Sequence, residues 1–185
     1  MNETSIKGLD SEAVSKWLAH HIDGATPPFD FSLIAAGGSN LTFRVNDVAG
    51  HTWALRRPPV SARLATAHDM AREWSIMSAL DKHSDVPVPE MLGYCDDLMV
   101  NQSPCYVMSF VEGLILRDQA SASHLTEAQC LTATHSLIDT QVAFHSVDID
   151  AVGLSGLAKK RSHYIARQLK RSRKQIDAAK IRELP

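Results

Sequence analysis

Trp53-Ala54-Leu55-Arg56-Arg57-Pro58-Pro59 and, a little further on, Asp69-Met70-Ala71-Arg72-Glu73-Trp74-Ser75-Ile76-Met77 are the two pieces of this sequence on which the fold turns. In the first, Trp53 and Leu55 alternate with Ala54 and Arg56, the period of a half-buried strand, so Arg56 stands on the face away from Trp53 and Leu55. After the two prolines the period lengthens. Met70, Trp74 and Met77 recur at helical spacing, which predicts a helix of about fifteen residues ending near Leu80. On that helix Glu73 falls between Met77 and Leu80 on the inward side, with Arg72 opposite. A carboxylate aimed at an apolar interior requires a partner, and the preceding strand offers the guanidinium of Arg56. A buried Arg56–Glu73 pair is therefore expected; the alternative is a solvated Glu73 at the rim.

Upstream, Asp10 can cap a helix, with Leu9 and Val14 as its staple and Val14, Trp17, Leu18 and Ile22 on one stripe; Gly24 and Pro27-Pro28 end it. Phe31 and Leu33, then Leu41, Phe43 and Val45, read as two strands before Trp53 and Leu55. The turns between them contain Gly37-Gly38-Ser39-Asn40 and Asn46-Asp47-Val48-Ala49-Gly50, so a three-stranded antiparallel meander is expected. Downstream, Val86-Pro87-Val88-Pro89 is an extended connection, and Met91–Cys95 and Cys105–Val111 are strands joined by a hairpin-like loop. Thr126 and Gln129 form a capping box for a helix to about His145, with Leu131, Ile138 and Val142 on one stripe. Val147–Gly156 is a loop, and a basic helix runs from about Ser162.

Composition is that of an ordinary soluble globular protein: 44% apolar and 22% charged residues over 185 positions, with no apolar stretch of membrane-spanning length and no secretory leader in the first residues. A cytoplasmic location is expected. Cys95, Cys105 and Cys130 lack metal-ligand spacing and are read as small buried hydrophobes. The net charge of −2 hides an uneven distribution, because ten Lys and Arg lie within residues 159–185 against only Asp177 and Glu183. A nucleic-acid arm or a basic helix folded over an acidic body would both produce it.

Strand, small-residue loop, strand, turn, strand with an inward cation, helix with an inward anion, two more strands and a helical region follow one another in the order of a kinase amino-terminal lobe. Glycines in the first loop let backbone N–H groups approach phosphate oxygens, although an ordinary hairpin turn reads the same in isolation. The sequence resembles the aminoglycoside phosphotransferase and choline kinase-like family, especially the phosphotransferase domain found at the front of some acyl-CoA dehydrogenases. The resemblance rests on Gly37-Gly38-Ser39-Asn40-Leu41-Thr42-Phe43, Leu55-Arg56-Arg57-Pro58-Pro59, Ala67-His68-Asp69-Met70-Ala71-Arg72-Glu73, Val86-Pro87-Val88-Pro89, Tyr106-Val107-Met108-Ser109-Phe110-Val111-Glu112-Gly113, Val152-Gly153-Leu154 and Tyr164-Ile165-Ala166-Arg167-Gln168-Leu169. It implies an α+β fold, with a kinase-like lobe of five antiparallel strands plus a helix over 29–112 and the first helices of an incomplete helical lobe over 113–185, preceded by the N-terminal helix segment over 1–28.

The resemblance further implies an ATP-dependent transfer of a phosphoryl group to a small-molecule hydroxyl. By motif position Gly37, Gly38, Ser39 and Asn40 would approach the phosphates, Arg56 would stand where a strand lysine is usual, and Glu73 would pair with it. Met108, Ser109, Phe110 and Val111 would hold the adenine through the backbone. Arginine for lysine keeps the charge but changes the reach. The family's catalytic His-Gly-Asp loop, with its later Asn, and its metal-holding Asp motif are absent from these residues. The chain is therefore expected to be truncated and inactive alone, with Mg²⁺ bound only where that lobe is present. A hydroxy acid or hydroxyacyl-CoA is the expected acceptor, and exposed helices predict self-association. The alternative function is a nucleic-acid or acidic-partner module using Lys159-Lys160-Arg161 through Lys174; a regulatory pseudokinase is a third reading.

Overall fold

The computed structural model describes residues 8–36, 40–60, 69–157 and 164–179. Helix α1 (Ser11–His21) is followed by strands β1 (Asp30–Ala36), β2 (Leu41–Asn46) and β3 (Thr52–Arg57), helix α2 (Met70–His83), and strands β4 (Met91–Cys95) and β5 (Cys105–Ser109). A short helix, α3 (Leu98–Asn101), lies between the last two strands; α4 (Gln119–Ala122), α5 (Glu127–His145) and α6 (Tyr164–Ala179) follow. The strands form one sheet in the order β1-β2-β3-β5-β4, antiparallel throughout. The expected meander is its first half. Residues up to Leu154 form one compact unit and the remainder a second, which holds a 3₁₀ turn at Ser155–Leu157 and the basic helix α6. No helix among the described residues is long and apolar enough to cross a membrane.

The sheet is covered on both faces. Under α1, Val14, Leu18 and Ile22 pack with Phe43, Val45, Leu55 and Val107. Asp10 caps α1 as its spacing predicts, its side chain accepting from the Ala13 N–H at 3.0 Å. A Cβ on Gly93 of β4 would stand 2.8 Å from Ile22 Cδ1 and 2.9 Å from the Trp17 ring, so a glycine is what lets helix and strand approach. On the other face α2 lays Met70, Trp74 and Met77 against Met91, Tyr94, Tyr106 and Met108. The strand period assigns the two faces, and Arg56 falls on the α2 side.

Several details differ from the sequence reading. Leu33 is 47% exposed, because β1 is the sheet edge and a bulge at Ile34 interrupts its alternation. Strand β5 ends at Ser109 rather than Val111, where its pairing with β3 ends at Trp53–Ser109. Helix α2 continues to His83, beyond Leu80. The loop at 96–104 contains α3, capped by Asp97, and its buried Asn101 accepts from the Asp10 N–H at 3.1 Å, tying the loop to the start of α1. Cys95 and Cys105 are buried cross-strand neighbours, but Cys130 is exposed on α5. Ala67 and His68 of the quoted motif, and the start expected for the basic helix at Ser162, lie outside the described residues.

Candidate functional site

Three strands and one helix meet around the carboxylate of Glu73. The register pairs Thr42 with Arg56 and Arg56 with Tyr106, which places β2, β3 and β5 side chains in one row on the α2 face. Asp69 caps α2 by accepting from the Arg72 N–H at 2.9 Å, and this start puts Glu73 in the first turn, beside that row. Arg56 Nε donates to Glu73 Oε2 at 3.2 Å. The Tyr106 hydroxyl donates to the same oxygen at 3.2 Å. Asn40, just before β2, spans the carboxylate with its amide nitrogen, 3.0 Å from Oε1 and 3.3 Å from Oε2.

The Arg56–Glu73 pair thus forms, but it is half open rather than buried: the two side chains are 34% and 37% exposed. An ion pair this accessible to water contributes about 0–1 kcal/mol. The neutral donors differ. Tyr106 and Asn40 are buried, and hydrogen bonds to a charged acceptor are worth about 1.5–3 kcal/mol each. Burial pushes the Tyr106 phenol well above its ordinary pKa, against the opposing pull of the Arg56 charge, so the hydroxyl remains a donor.

Along the same face, Met108 lies opposite Ala54, two residues from the Arg56–Tyr106 pair, or about 7 Å. Ser109 exchanges bonds with Glu90, its N–H donating to the Glu90 carbonyl and its Oγ accepting from the Glu90 N–H, both at 2.9 Å. Past the sheet, the Arg44 guanidinium lies 4.7 Å from the Phe110 ring centroid and reaches Glu112 at 3.2 Å, while Val111 is exposed. The structure therefore brings together Asn40, Arg56 and Glu73, and places Met108, Ser109, Phe110 and Val111 where β5 leaves the sheet. Gly37, Gly38 and Ser39 lie outside the described residues. Tyr106 escaped the sequence reading; its signal was the pairing of the third and fifth strands, which would have set it beside Arg56.

A cavity of about 410 Å³ opens elsewhere, lined among others by His21, Asp23, His51, Glu90 and Ser109, and by none of Asn40, Arg56 or Glu73. Among the described residues no group of three or more His, Cys, Asp or Glu is placed to hold a metal ion.

A model of the phosphotransferase enzyme family matches residues 30–185. Acyl-CoA dehydrogenase family member 11 of Gallus gallus is 35% identical over 151 residues, which are 82% of this chain and 19% of that protein. The crystal structure of a Ralstonia eutropha protein described as an aminoglycoside phosphotransferase matches with a TM-score of 0.74 at 30% identity, over 95% of this chain and 50% of its own. The apoenzyme of macrolide 2'-phosphotransferase MphH from Brachybacterium faecium shares the fold, with a TM-score of 0.56 at 20% identity over 90% of this chain and 53% of that one. The chain spans about a fifth of the length of the curated acyl-CoA dehydrogenase relatives it matches, and about half that of the two solved phosphotransferases.

Proposed function

From the premise that the chain belongs to the phosphotransferase enzyme family, we propose that it holds ATP on the α2 face of its sheet, within a kinase-like transfer of a phosphoryl group to a small-molecule hydroxyl. The observation that carries this reading is the Arg56–Glu73 contact, a strand cation fixed by a helix anion. Arg56 uses Nε for Glu73, so the fork's Nη groups are the part suited to phosphate oxygens. Ala54 offers only a methyl opposite Met108, which suits a flat base, and the backbone of Phe110 and Val111 beyond the last ladder pair would give it hydrogen bonds. When bound, ATP supplies the transferable phosphoryl group; these residues bind and orient it. Gly37, Gly38 and Ser39 complete the proposed phosphate cover.

The 185 residues contain no His-Gly-Asp loop with a later Asn, so we assign this chain nucleotide holding without turnover of its own. The dehydrogenase relatives make a hydroxy acid or hydroxyacyl-CoA the proposed acceptor class. Calorimetric titration of the chain with ATP and with adenosine tests the reading. ATP should bind the more tightly, and Arg56→Ala should weaken it roughly tenfold or more while sparing adenosine. Equal loss for both ligands, or no binding of ATP, would remove it. Phosphate release from ATP that disappears in Glu73→Ala would instead show a catalyst.

A further inference from the structure

We infer that Tyr106, seconded by Asn40, is a positioning residue: it fixes the Glu73 carboxylate and through it sets where the Arg56 guanidinium points. The inference rests on the nucleotide-binding reading only for what Arg56 then holds.

The ion pair cannot set its own geometry. It is made through one nitrogen at 3.2 Å, and both partners are about one-third exposed, so water competes for each. The two neutral donors are shielded from that competition, Tyr106 at 3% exposure and Asn40 at 6%. They approach from separate places in the chain, Tyr106 from β5 onto Oε2 and Asn40 from just before β2 across both oxygens, so the carboxylate is held at three points with Arg56 as the third. A ring on a strand has two side-chain torsions and little room to move when buried, which makes Tyr106 a rigid post.

The Asn40 amide adds an independent sign of this duty. Its nitrogen is committed to Glu73 while its buried Oδ1 has no hydrogen-bond partner among the described residues. Reversing the amide would set its oxygen against the carboxylate. What fixes the orientation of the Asn40 amide is therefore Glu73. Asn40 thus acts as a support for the pair, through an amide N–H shared between the two carboxylate oxygens.

The test uses the full 185-residue chain labelled with ¹⁵N and follows the Arg56 Nε–H resonance. In the ligand-free protein this resonance should be displaced from the free-arginine position and exchange slowly with water. Tyr106→Phe and Asn40→Ala should each return it towards the free position while the backbone amide spectrum stays native. Tyr94→Phe, which removes a hydroxyl from the same face but not from Glu73, should leave it in place. In the ATP titration, Tyr106→Phe should weaken binding about three- to tenfold and spare adenosine. An unmoved Arg56 resonance in the folded variants overturns the inference, as does loss of fold in both, which would assign the two residues a structural role only. Should one variant fail to fold, the other decides. If the unaltered chain binds no ATP and the resonance still responds, the nucleotide reading fails and the positioning role stands.

Discussion

Asp47 shows how much a single carboxylate can organise. It sits in the turn after β2 and accepts from the His51 N–H at 2.8 Å, from His51 Nδ1 at 2.9 Å and from the Thr26 N–H at 3.1 Å. Burial alone would raise its pKa, but these bonds outweigh it and hold the group down from the ordinary 3.8 to about 2. A depressed acid stabilises the folded state fully above its unfolded pKa and loses that contribution as pH falls through the folded one. Melting curves of the unaltered protein and Asp47→Asn should therefore differ by a constant amount above pH of about 4, and the gap should close on acidification towards about 2. A gap that stays constant through that window would contradict the assignment. Residue chemistry of this kind was legible only in part. Asn46-Asp47 with Gly50 announces a turn, yet which N–H groups Asp47 collects depends on Thr26, far back in the chain. Glu73 was visible because it breaks an apolar helix face, and Arg56 because the alternation of its strand turns it to the side where a partner is required. Tyr106 breaks none, since an aromatic on a strand is ordinary, and only the strand register reveals its neighbour.

At the scale of elements, caps and periods carried most of the reading. Asp10 and the Thr126–Gln129 box start their helices as expected, because capping is local chemistry. What the sequence withheld is which element covers which. Helix α1 lies on the sheet face opposite α2, and Gly93 is the contact that permits it. Gly93→Ala should cost about 1–3 kcal/mol in urea unfolding, since the Trp17 ring has less freedom to yield than the end of Ile22. A neutral result would mean that α1 can retreat without loss. Helix α3 was missed although Asp97 marks its start: one turn offers no periodicity to detect, and the buried Asn101 that docks it reads as a loop residue.

The whole molecule is unevenly covered. Strands β2, β3 and β5 bury most of their apolar side chains, whereas α5 buries none, although it carries Leu131, Ile138 and Val142 on one side and Leu137 and Phe144 on another. The sequence reading found the first stripe and not the second. Apolar residues on two sides are the pattern of a helix packed from both. We expect the chain to self-associate through α5: light scattering should show mass rising with concentration, and Leu131→Gln with Ile138→Gln should suppress the rise. A monomer at all concentrations would exclude it. The same unevenness bears on α2. Its far end is fastened to the sheet where Asp81 Oδ2 accepts from the Met91 N–H at 3.0 Å, and its near end meets Asn40, Arg56 and Tyr106 through Glu73. It is hung like a door, with the hinge at Asp81 and the latch at Glu73 about 12 Å along the axis. Any swing that spares the hinge travels furthest at the latch, where it would have to release those three donors and also lift Met70 and Trp74 off the sheet.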